Sequence, residues 1–262
     1  MPGRPRSKRS RGGADEGFFS PASPRVLAHR GLALEAPENT MLAFLKALSV
    51  GVDYIETDVH ASSDGVAVIA HDDTLARVAG RPVRVDHLTM AELRRVDLGE
   101  GQGFVSLAEA LDSFPEARFN IDLKSNAAVD PTVDAILEAG AVNRVLIASF
   151  DDRRRLAAVK RLPGVATSAS KRMSSRAVAA ASLGLLPVVR RTLRGVDAVQ
   201  LPEKFNGVTI ITPRLLSTMQ AAGVEVHVWT INDVPTMERL LAMGVDGIVT
   251  DRADLALPLV GQ

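Results

Sequence analysis

The chain has 262 residues, with 31 basic and 31 acidic side chains and no cysteine. This length suits one large domain or two small ones, and the lack of cysteine excludes disulfides, zinc–thiolate sites and a thiol nucleophile. The balanced charge argues against a global electrostatic field for nucleic acid, and no apolar run approaches the ~20 residues that cross a bilayer. We therefore expect a cytoplasmic protein that binds no nucleic acid.

The first 24 residues are predicted to form a disordered basic tail. Five basic residues lie among glycine, proline and serine, a composition that buries too little apolar surface to fold: Arg4, Arg6, Lys8, Arg9 and Arg11. No hydrophobic stretch follows them, so they do not form a secretory signal. A weak electrostatic tether to anionic lipid or nucleic acid is the alternative. The folded domain is expected to span 25–262.

The first predicted strand, 25–29, is a short apolar run that ends in a His-Arg-Gly turn. A helix follows, since apolar residues recur at helical spacing up to Gly51. The second strand, 53–59, alternates, so Glu56 and Asp58 share one face. Two acids on one face repel each other unless something positive lies between them.

A hairpin extension is predicted after the second strand. The Ser-Ser-Asp-Gly turn at 62–65 separates that strand from a further extended run, 66–72. With the turn centred near Ser63, residue 56 would pair with about residue 70. This pairing would bring His71 beside the face that carries the two acids.

Strands and helices then alternate to the end of the chain. A helix at 87–97 with a Thr89–Glu92 capping box comes first. Further strands are predicted at 117–124, 144–150, 165–170, 197–202, 225–231 and 246–251, and helices at 105–114, 130–140, 151–162, 174–185, 212–223 and 232–244. With the first two strands these make eight, which predicts an α/β fold, a (β/α)₈ TIM barrel. A doubly wound open sheet is the alternative, although no GxGxxG follows the first strand.

Polar and aromatic residues close most of these strands, as the barrel prediction requires of an active site. They are His29, Glu56, Asp58, Asp122, Lys124, Ser149, Phe150, Gln200, Trp229, Thr250 and Asp251. Carboxylates that converge at one barrel mouth favour a hard cation, Mg²⁺ or Ca²⁺, and the candidate ligands are Glu56, Asp58 and Asp122. Arg30 and Lys124 could contact an anion. Acids for a metal beside bases for an anion suit a phosphate ester.

His29 and His71 fit the roles of general acid and base, because imidazole titrates near neutral pH. For either histidine alone, a hydrogen-bonded core residue is the alternative. Trp229 is interpreted equally as core packing or as a wall of the substrate pocket. His60 and His87 are expected in surface or loop positions and His227 in packing, without a functional role.

Several motifs together resemble the glycerophosphodiester phosphodiesterase family, in the barrel group that includes phosphatidylinositol-specific phospholipases C. They are HRG (29–31), PENT (37–40), IETDV (55–59), DG (64–65), HD (71–72), NIDLK (120–124), SF (149–150), VWTI (228–231) and TD (250–251). The resemblance implies metal-dependent hydrolysis of small-molecule glycerophosphodiesters to glycerol 3-phosphate and an alcohol. It implies an acid/base pair of His29 and His71.

The resemblance also implies metal binding by Glu56 and Asp58 and phosphate binding by Arg30 and Lys124. Asp122 stands where the family usually has glutamate, and its side chain is one methylene shorter. We additionally predict that Phe150 and Trp229 contact the substrate. The motifs do not predict which alcohol is released, and they do not predict the oligomeric state.

The segment 177–191 is apolar with basic flanks. A barrel helix plus a loop is the simpler interpretation, and a lipid-facing rim with weak peripheral membrane contact is the other. The second interpretation would favour lysophospholipase D-type activity on lysophospholipids at a membrane surface. A catalytically weak barrel that binds phosphate esters or partners is a third possibility.

Overall fold

The structure is a computed structural model that describes residues 17–20 and 22–261. The strands of this part of the chain are β1 (Arg25–His29), β2 (Tyr54–Ala61), β3 (Ala67–Ile69), β4 (Arg118–Leu123), β5 (Val145–Ala148), β6 (Ala166–Thr167), β7 (Ala198–Pro202), β8 (Lys204–Phe205), β9 (Val208–Thr209), β10 (Glu225–Trp229) and β11 (Gly247–Thr250).

Helices alternate with these strands along the chain. They are α1 (Met41–Ser49), α2 (Ala76–Ala79), α3 (Met90–Leu93), α4 (Leu107–Ser113), α5 (Val129–Glu138), α6 (Asp152–Arg161), α7 (Lys171–Ser182), α8 (Leu186–Thr192), α9 (Pro213–Ala221), α10 (Val234–Met243) and α11 (Ala253–Val260), with 3₁₀ turns at Val85–His87 and Val142–Arg144. No described helix is both long enough and apolar enough to cross a membrane.

Eight of the strands form a parallel sheet in the order β6-β5-β4-β2-β1-β11-β10-β7. An isolated parallel bridge between Ser168 and Ala198 brings the two ends of this sheet together. The sheet therefore curls into a nearly closed barrel with the helices outside. The predicted (β/α)₈ barrel is confirmed, and the open-sheet alternative is wrong.

The predicted hairpin extension is present, with a different register. β3 pairs antiparallel with β2, and Ala61 lies opposite Ala67. The turn is therefore centred on Asp64 rather than Ser63, because Ser62 and Val66 close it through the bond from the Ser62 amide to the Val66 carbonyl. The predicted pairing of residue 56 with residue 70 is wrong, although His71 still reaches the barrel mouth.

The N-terminal end of the barrel is plugged by residues that precede Arg25. Phe18 is 2% exposed and packs edge-on against Tyr54, whose hydroxyl donates to the Phe18 carbonyl at 2.8 Å. The packed residues therefore begin before the boundary expected at Arg25. The remainder of the predicted tail, residues 1–16 and 21, lies outside the described residues.

Charged side chains lie just above this plug. The Arg25 guanidinium is 2.7 Å from Glu225 and donates to the Tyr54 hydroxyl at 2.9 Å. His227 is fully buried and lies 3.0 Å from the other oxygen of Glu225. As expected, His227 serves packing. A middle layer of apolar side chains separates this cluster from the mouth: Leu27, Leu146, Ala148, Ala198 and Val249.

Two helical predictions change in detail. The helix expected at 87–97 is a 3₁₀ turn followed by α3, with the Thr89–Glu92 capping box in place. The segment 177–191 forms the end of α7 and most of α8. Since α7 starts at the mouth and its 12 residues run ~18 Å away from it, Leu183 and Val188 lie toward the opposite end of the barrel.

Candidate active site

A cavity of about 500 Å³ opens at the carboxyl ends of the parallel strands. In α/β barrels this end is where the strand-to-helix loops gather functional groups. The cavity is lined by all nine side chains that the sequence singled out: His29, Arg30, Glu56, Asp58, His71, Asp122, Lys124, Phe150 and Trp229. The barrel thus brings together residues from widely separated motifs.

The turn after β1 sets the direction of His29 and Arg30. Arg30 and Gly31 both have left-handed backbones, with φ of 57° and 85°. A Cβ at residue 31 would come within 2.7 Å of the Ala43 backbone, so only glycine lets this turn press against α1. Strain of this kind is characteristic of functional sites, where the surrounding structure holds it in place.

His29 is held by a carboxylate on the last strand-to-helix turn. Its Nδ1 lies 2.6 Å from Asp251, 222 residues away, and Asn232 donates to the other oxygen of Asp251 at 2.7 Å. Its Nε2 lies 3.9 Å from Glu56. Burial lowers the pKa of His29, but the bond to Asp251 and the charge of Glu56 outweigh burial, so the pKa is raised.

His71 is held in the same manner by its neighbour. Its Nδ1 lies 2.7 Å from Asp72, and Arg77 donates to the other Asp72 oxygen at 2.6 Å. Arg77 also binds Glu38, which in turn accepts from Arg30 at 2.9 Å. A continuous network therefore links His71 to the turn that carries Arg30.

His60 contradicts its expected surface position. It lies on β2, is 8% exposed, and its Nε2 is 3.2 Å from the His71 carbonyl. The hairpin strand β3 pairs alongside β2 here, with Val68 opposite His60. His87 is exposed, as expected, with a side-chain exposure of 67%.

Three carboxylates are buried on the inner faces of β2 and β4. Glu56 is 8% exposed, Asp58 2% and Asp122 8%. Lys124 Nζ lies 2.7 Å from both Asp58 and Asp122. Arg30 Nε is 3.2 Å from the other oxygen of Asp58, without hydrogen-bond geometry. The three acids are therefore accompanied by two side-chain cations, Lys124 and Arg30, and both of these lie beside Asp58.

The pKa values of the acids reflect this uneven pairing. Burial raises the pKa of Glu56 to about 8, and the charge of Asp58 adds to the increase. Burial also raises the pKa of Asp122 by more than Lys124 lowers it. For Asp58, Lys124 and Arg30 outweigh burial, and the pKa is lowered. Glu56 is thus the acid that most lacks a positive partner.

The donor chemistry of this cluster fits a divalent cation. Asp122 Oδ1 is buried without a hydrogen-bond partner among the described residues, and Glu56 is insufficiently compensated. Buried carboxylate oxygens are the ligands that Mg²⁺ and Ca²⁺ prefer. The donor atoms suit the cation, but their positions do not form a metal site: Lys124 lies between Asp58 and Asp122, and within the described ranges no three histidine or acidic side chains are grouped closely enough to hold a metal.

The opposite half of the cavity is largely uncharged. Trp229 and Phe150 form part of this wall, and Phe150 is 58% exposed. Gln200 lies in the same half with a buried side-chain nitrogen that has no described partner. A substrate in the cavity would therefore meet a charged half and an apolar half.

Asp72 and Asp251 hydrogen-bond the two histidines, and the sequence analysis did not predict either contact. Asp72 ends the HD motif and Asp251 ends the TD motif, so the sequence indicated that both lie at the mouth. The pairing of Asp251 with His29 was not visible in the sequence, because this contact depends on closure of the barrel.

Comparisons with known proteins point to one family. A sequence model of the Glycerophosphoryl diester phosphodiesterase family matches residues 29–255. The chain is 44% identical over 249 residues to a "Probable glycerophosphodiester phosphodiesterase 2" of Mycobacterium tuberculosis, covering 94% of each chain. It is 31% identical to a "Glycerophosphodiester phosphodiesterase" of Caldanaerobacter subterraneus, covering 90% of this chain and 97% of that protein.

A solved structure has the same fold. It is an Oleispira antarctica phosphodiesterase in complex with the product sn-glycerol-3-phosphate, with a TM-score of 0.75 and 24% identity. The alignment covers 90% of this chain and 96% of the other.

Proposed function

The chain belongs to the glycerophosphoryl diester phosphodiesterase family, and from this we propose that it hydrolyses glycerophosphodiesters to glycerol 3-phosphate and an alcohol. One observation carries the proposal: two carboxylate-bound histidines, His29 and His71, flank three buried acids in a single cleft. The activities named for the relatives support it.

The histidines would move the protons. With Nδ1 hydrogen-bonded to a carboxylate, each imidazole keeps Nε2 for a second partner. In the neutral ring Nε2 can take the proton of the attacking hydroxyl, and in the charged ring it can give one to the leaving alkoxide oxygen. The raised pKa of His29 keeps a charged fraction available near neutral pH. With water as the attacking group, the new P–O bond forms as the P–O bond to the alcohol breaks, which gives glycerol 3-phosphate directly. With the glycerol 2-hydroxyl as the attacking group, the same exchange gives a cyclic phosphate, which water then opens to glycerol 3-phosphate.

Glu56, Asp58 and Asp122 would hold the divalent cation, Mg²⁺ or Ca²⁺. When bound there, the cation supplies charge neutralisation for the phosphoryl group and activation of the attacking hydroxyl. Arg30 would contact a phosphoryl oxygen from the turn after β1, and Glu38 keeps its guanidinium in place at 2.9 Å. Lys124 stays protonated, since Asp58 and Asp122 outweigh burial and raise its pKa.

Activity assays on glycerophosphocholine and glycerophosphoethanolamine test the proposal. We expect turnover with Mg²⁺ or Ca²⁺ and loss of turnover in EDTA that added metal restores. If no diester is hydrolysed with any metal, the enzyme proposal fails, and a phosphate-ester-binding barrel remains. Turnover that persists in EDTA would remove the metal from the proposal while leaving the histidines in it.

A second candidate activity is removal of the head-group alcohol from lysophospholipids. The observation that favours it is the apolar half of the cavity, where Phe150, Phe205 and Trp229 line the mouth. Parallel assays with lysophosphatidylcholine and glycerophosphocholine separate the two substrates. A higher kcat/KM for the lysophospholipid would support this candidate, and the reverse preference would rule it out as the main activity.

A further inference from the structure

A small hairpin projects from the barrel beside the cleft. It consists of β8 and β9, which form a two-stranded sheet outside the barrel sheet, and all of its residues from Lys204 to Thr209 are exposed. Asn206 and Gly207 make its turn, both with left-handed backbones, φ 49° and 78°. Such a two-residue turn is the tight connection preferred in hairpins.

The base of the hairpin is fixed to the barrel. The Ile210 amide donates to the Glu203 carbonyl at 2.8 Å, and the Glu203 side chain binds Arg239 of α10. Because the hairpin follows β7, whose carboxyl end is at the mouth, it lies on the rim of the cavity. Phe205 and Ile210 line that cavity.

The tip of the hairpin exposes two large apolar side chains on one face. Phe205 is 61% exposed and Val208 65%, and they are a cross-strand pair. A two-stranded hairpin in water gains little from exposed apolar residues, and no described element covers these two. Phe150, on the same rim, is exposed to a similar degree. Exposed apolar groups gathered around a functional cleft mark an interaction surface.

Basic side chains lie on the hairpin itself and on the lining of the same cavity. Lys171 lines the cavity and forms no ion pair with the described residues, and Lys204 has a side-chain exposure of 58%. Glu203 lies 3.9 Å from Lys204 and is also bound by Arg239, so these two basic side chains together with Lys171 outnumber the one acid. Apolar residues flanked by lysines suit a lipid surface, where the apolar groups insert and the lysines meet anionic head groups.

We propose that the hairpin Lys204–Thr209 docks the mouth of the barrel on a lipid surface by inserting Phe205 and Val208. The proposal deepens the proposed function and rests on it, since docking here would present glycerophosphodiester groups of lipids to the cleft. It also replaces the expectation for segment 177–191. That segment exposes Leu183 and Val188 toward the other end of the barrel, where docking would leave the cleft facing away from the lipid.

Vesicle co-sedimentation tests the proposal, with phosphatidylcholine vesicles that contain a minor fraction of phosphatidylglycerol. We expect wild-type protein to bind and Val208→Asp to bind about tenfold more weakly, because one apolar contact is lost and a negative charge is added. Val208→Ser should weaken binding by about threefold through the lost apolar contact alone. Val188→Asp on α8 is the matched control and should bind like wild type, since its valine is also exposed, at 47%.

Three results would overturn the proposal: no binding of the wild-type protein, unchanged binding of both Val208 variants, or loss of binding in Val188→Asp. Hydrolysis of soluble glycerophosphocholine is measured with the same preparations. Intact hydrolysis with no vesicle binding overturns the docking proposal alone. Absence of hydrolysis in the wild-type protein, with any metal, instead overturns the proposed function.

Discussion

The two ends of the barrel both bury charged side chains, and they balance those charges differently. At the N-terminal end, Arg25 is paired with Glu225, and His227 binds the same carboxylate. At the mouth, the Glu56 carboxylate lies 3.9 Å from the His29 ring and accepts from the Arg30 amide at 3.3 Å. The pKa of Glu225 is lowered, because its bonds to His227 and Arg25 outweigh burial. The pKa of Glu56 is raised to about 8 by burial and by Asp58.

This difference distinguishes paired charges that stabilise the fold from uncompensated charges that we propose serve the chemistry. Burying an ion without a partner costs several kcal/mol, so a chain selected only for stability would not keep Glu56 in that state. Strongly perturbed acids in a cleft are characteristic of active sites. In the N-terminal cluster Arg25 and His227 are buried and Glu225 is partly buried, yet its charges are paired, and an apolar layer separates it from the cavity.

Removing a histidine from the mouth should produce the largest effect and separate activity from stability. We expect His29→Ala and His71→Ala each to lower kcat by about 10²-fold or more, the size expected of a general acid or base. Melting temperature should change little, because both rings are partly exposed at the cleft. Steady-state assays and thermal melts measure the two effects.

His87→Ala is the matched control, since that ring is exposed and does not line the cavity. It should retain wild-type kcat. A wild-type rate in His29→Ala or His71→Ala would remove that histidine from the mechanism.

Breaking the ion pair at the N-terminal end of the barrel should have the opposite effect: it should lower stability and leave activity largely intact. Glu225→Gln leaves Arg25 with a weaker partner, and we expect about 2 kcal/mol less stability at pH 7. The kcat should remain within about twofold of wild type, because the substitution lies below the apolar layer. Urea unfolding and steady-state assays measure these effects, and Glu238→Gln on the surface of α10 should change neither.

The pH dependence gives this prediction a sign. The folded-state pKa of Glu225 is below its ordinary value of 4.5. Its contribution to stability is therefore present above pH 4.5 and is lost as pH falls through the folded-state pKa. The difference in free energy of unfolding between wild type and Glu225→Gln should narrow as the pH falls below about 4.5. A gap that widens in acid would contradict the pairing.

The corresponding change at the mouth should stabilise the protein. Glu56 has a folded pKa of about 8, above its ordinary 4.5, so its favourable contribution is lost as pH rises between those values. In EDTA, the free energy of unfolding of Glu56→Gln should therefore exceed that of wild type at pH 6, by about 2 kcal/mol. Near pH 4 the two should coincide. Equal stability at both pH values would mean that Glu56 is better compensated than its surroundings indicate.

The smallest expected effect concerns the partner of His29. Asp251→Asn removes the charge that helps to raise the pKa of His29, so the His29-dependent limb of the pH–rate profile should shift to lower pH. We expect kcat to fall by about tenfold, less than for removal of the ring itself. Asp254→Asn, on the next helix, is a control that should leave the profile in place. A lower rate with an unshifted profile would assign Asp251 a purely structural role.

The mouth was predictable because barrel strands that are otherwise apolar end in ionisable residues. All nine predicted site residues line one cavity, and seven of them are ionisable. The Asp251 partner was not predictable, since β1 and β11 pair only after the barrel closes. Phe18 carries no periodic pattern within its polar surroundings, so its packing on Tyr54 gave no local signal.

Local turn chemistry explains two further differences. The hairpin after β2 is centred on Asp64, because the Ser62 hydroxyl and amide close a longer turn than the dipeptide signal implied. In that register β3 pairs alongside β2 at His60, which is buried and not on the surface. The β8–β9 hairpin carries an Asn-Gly signal at its turn, which a search for paired short strands could have found.

The parallel pairing of β1 with β11 places the first and last barrel strands side by side. His29 and Asp251 meet across this seam from opposite ends of the chain, 222 residues apart. Contacts between residues so far apart in the sequence form late in folding. Closing the long loop between them costs conformational entropy before the contacts can compensate for it. On refolding, recovery of catalytic rate should therefore lag behind recovery of helical circular dichroism. The length of that lag would measure the time that the barrel takes to close.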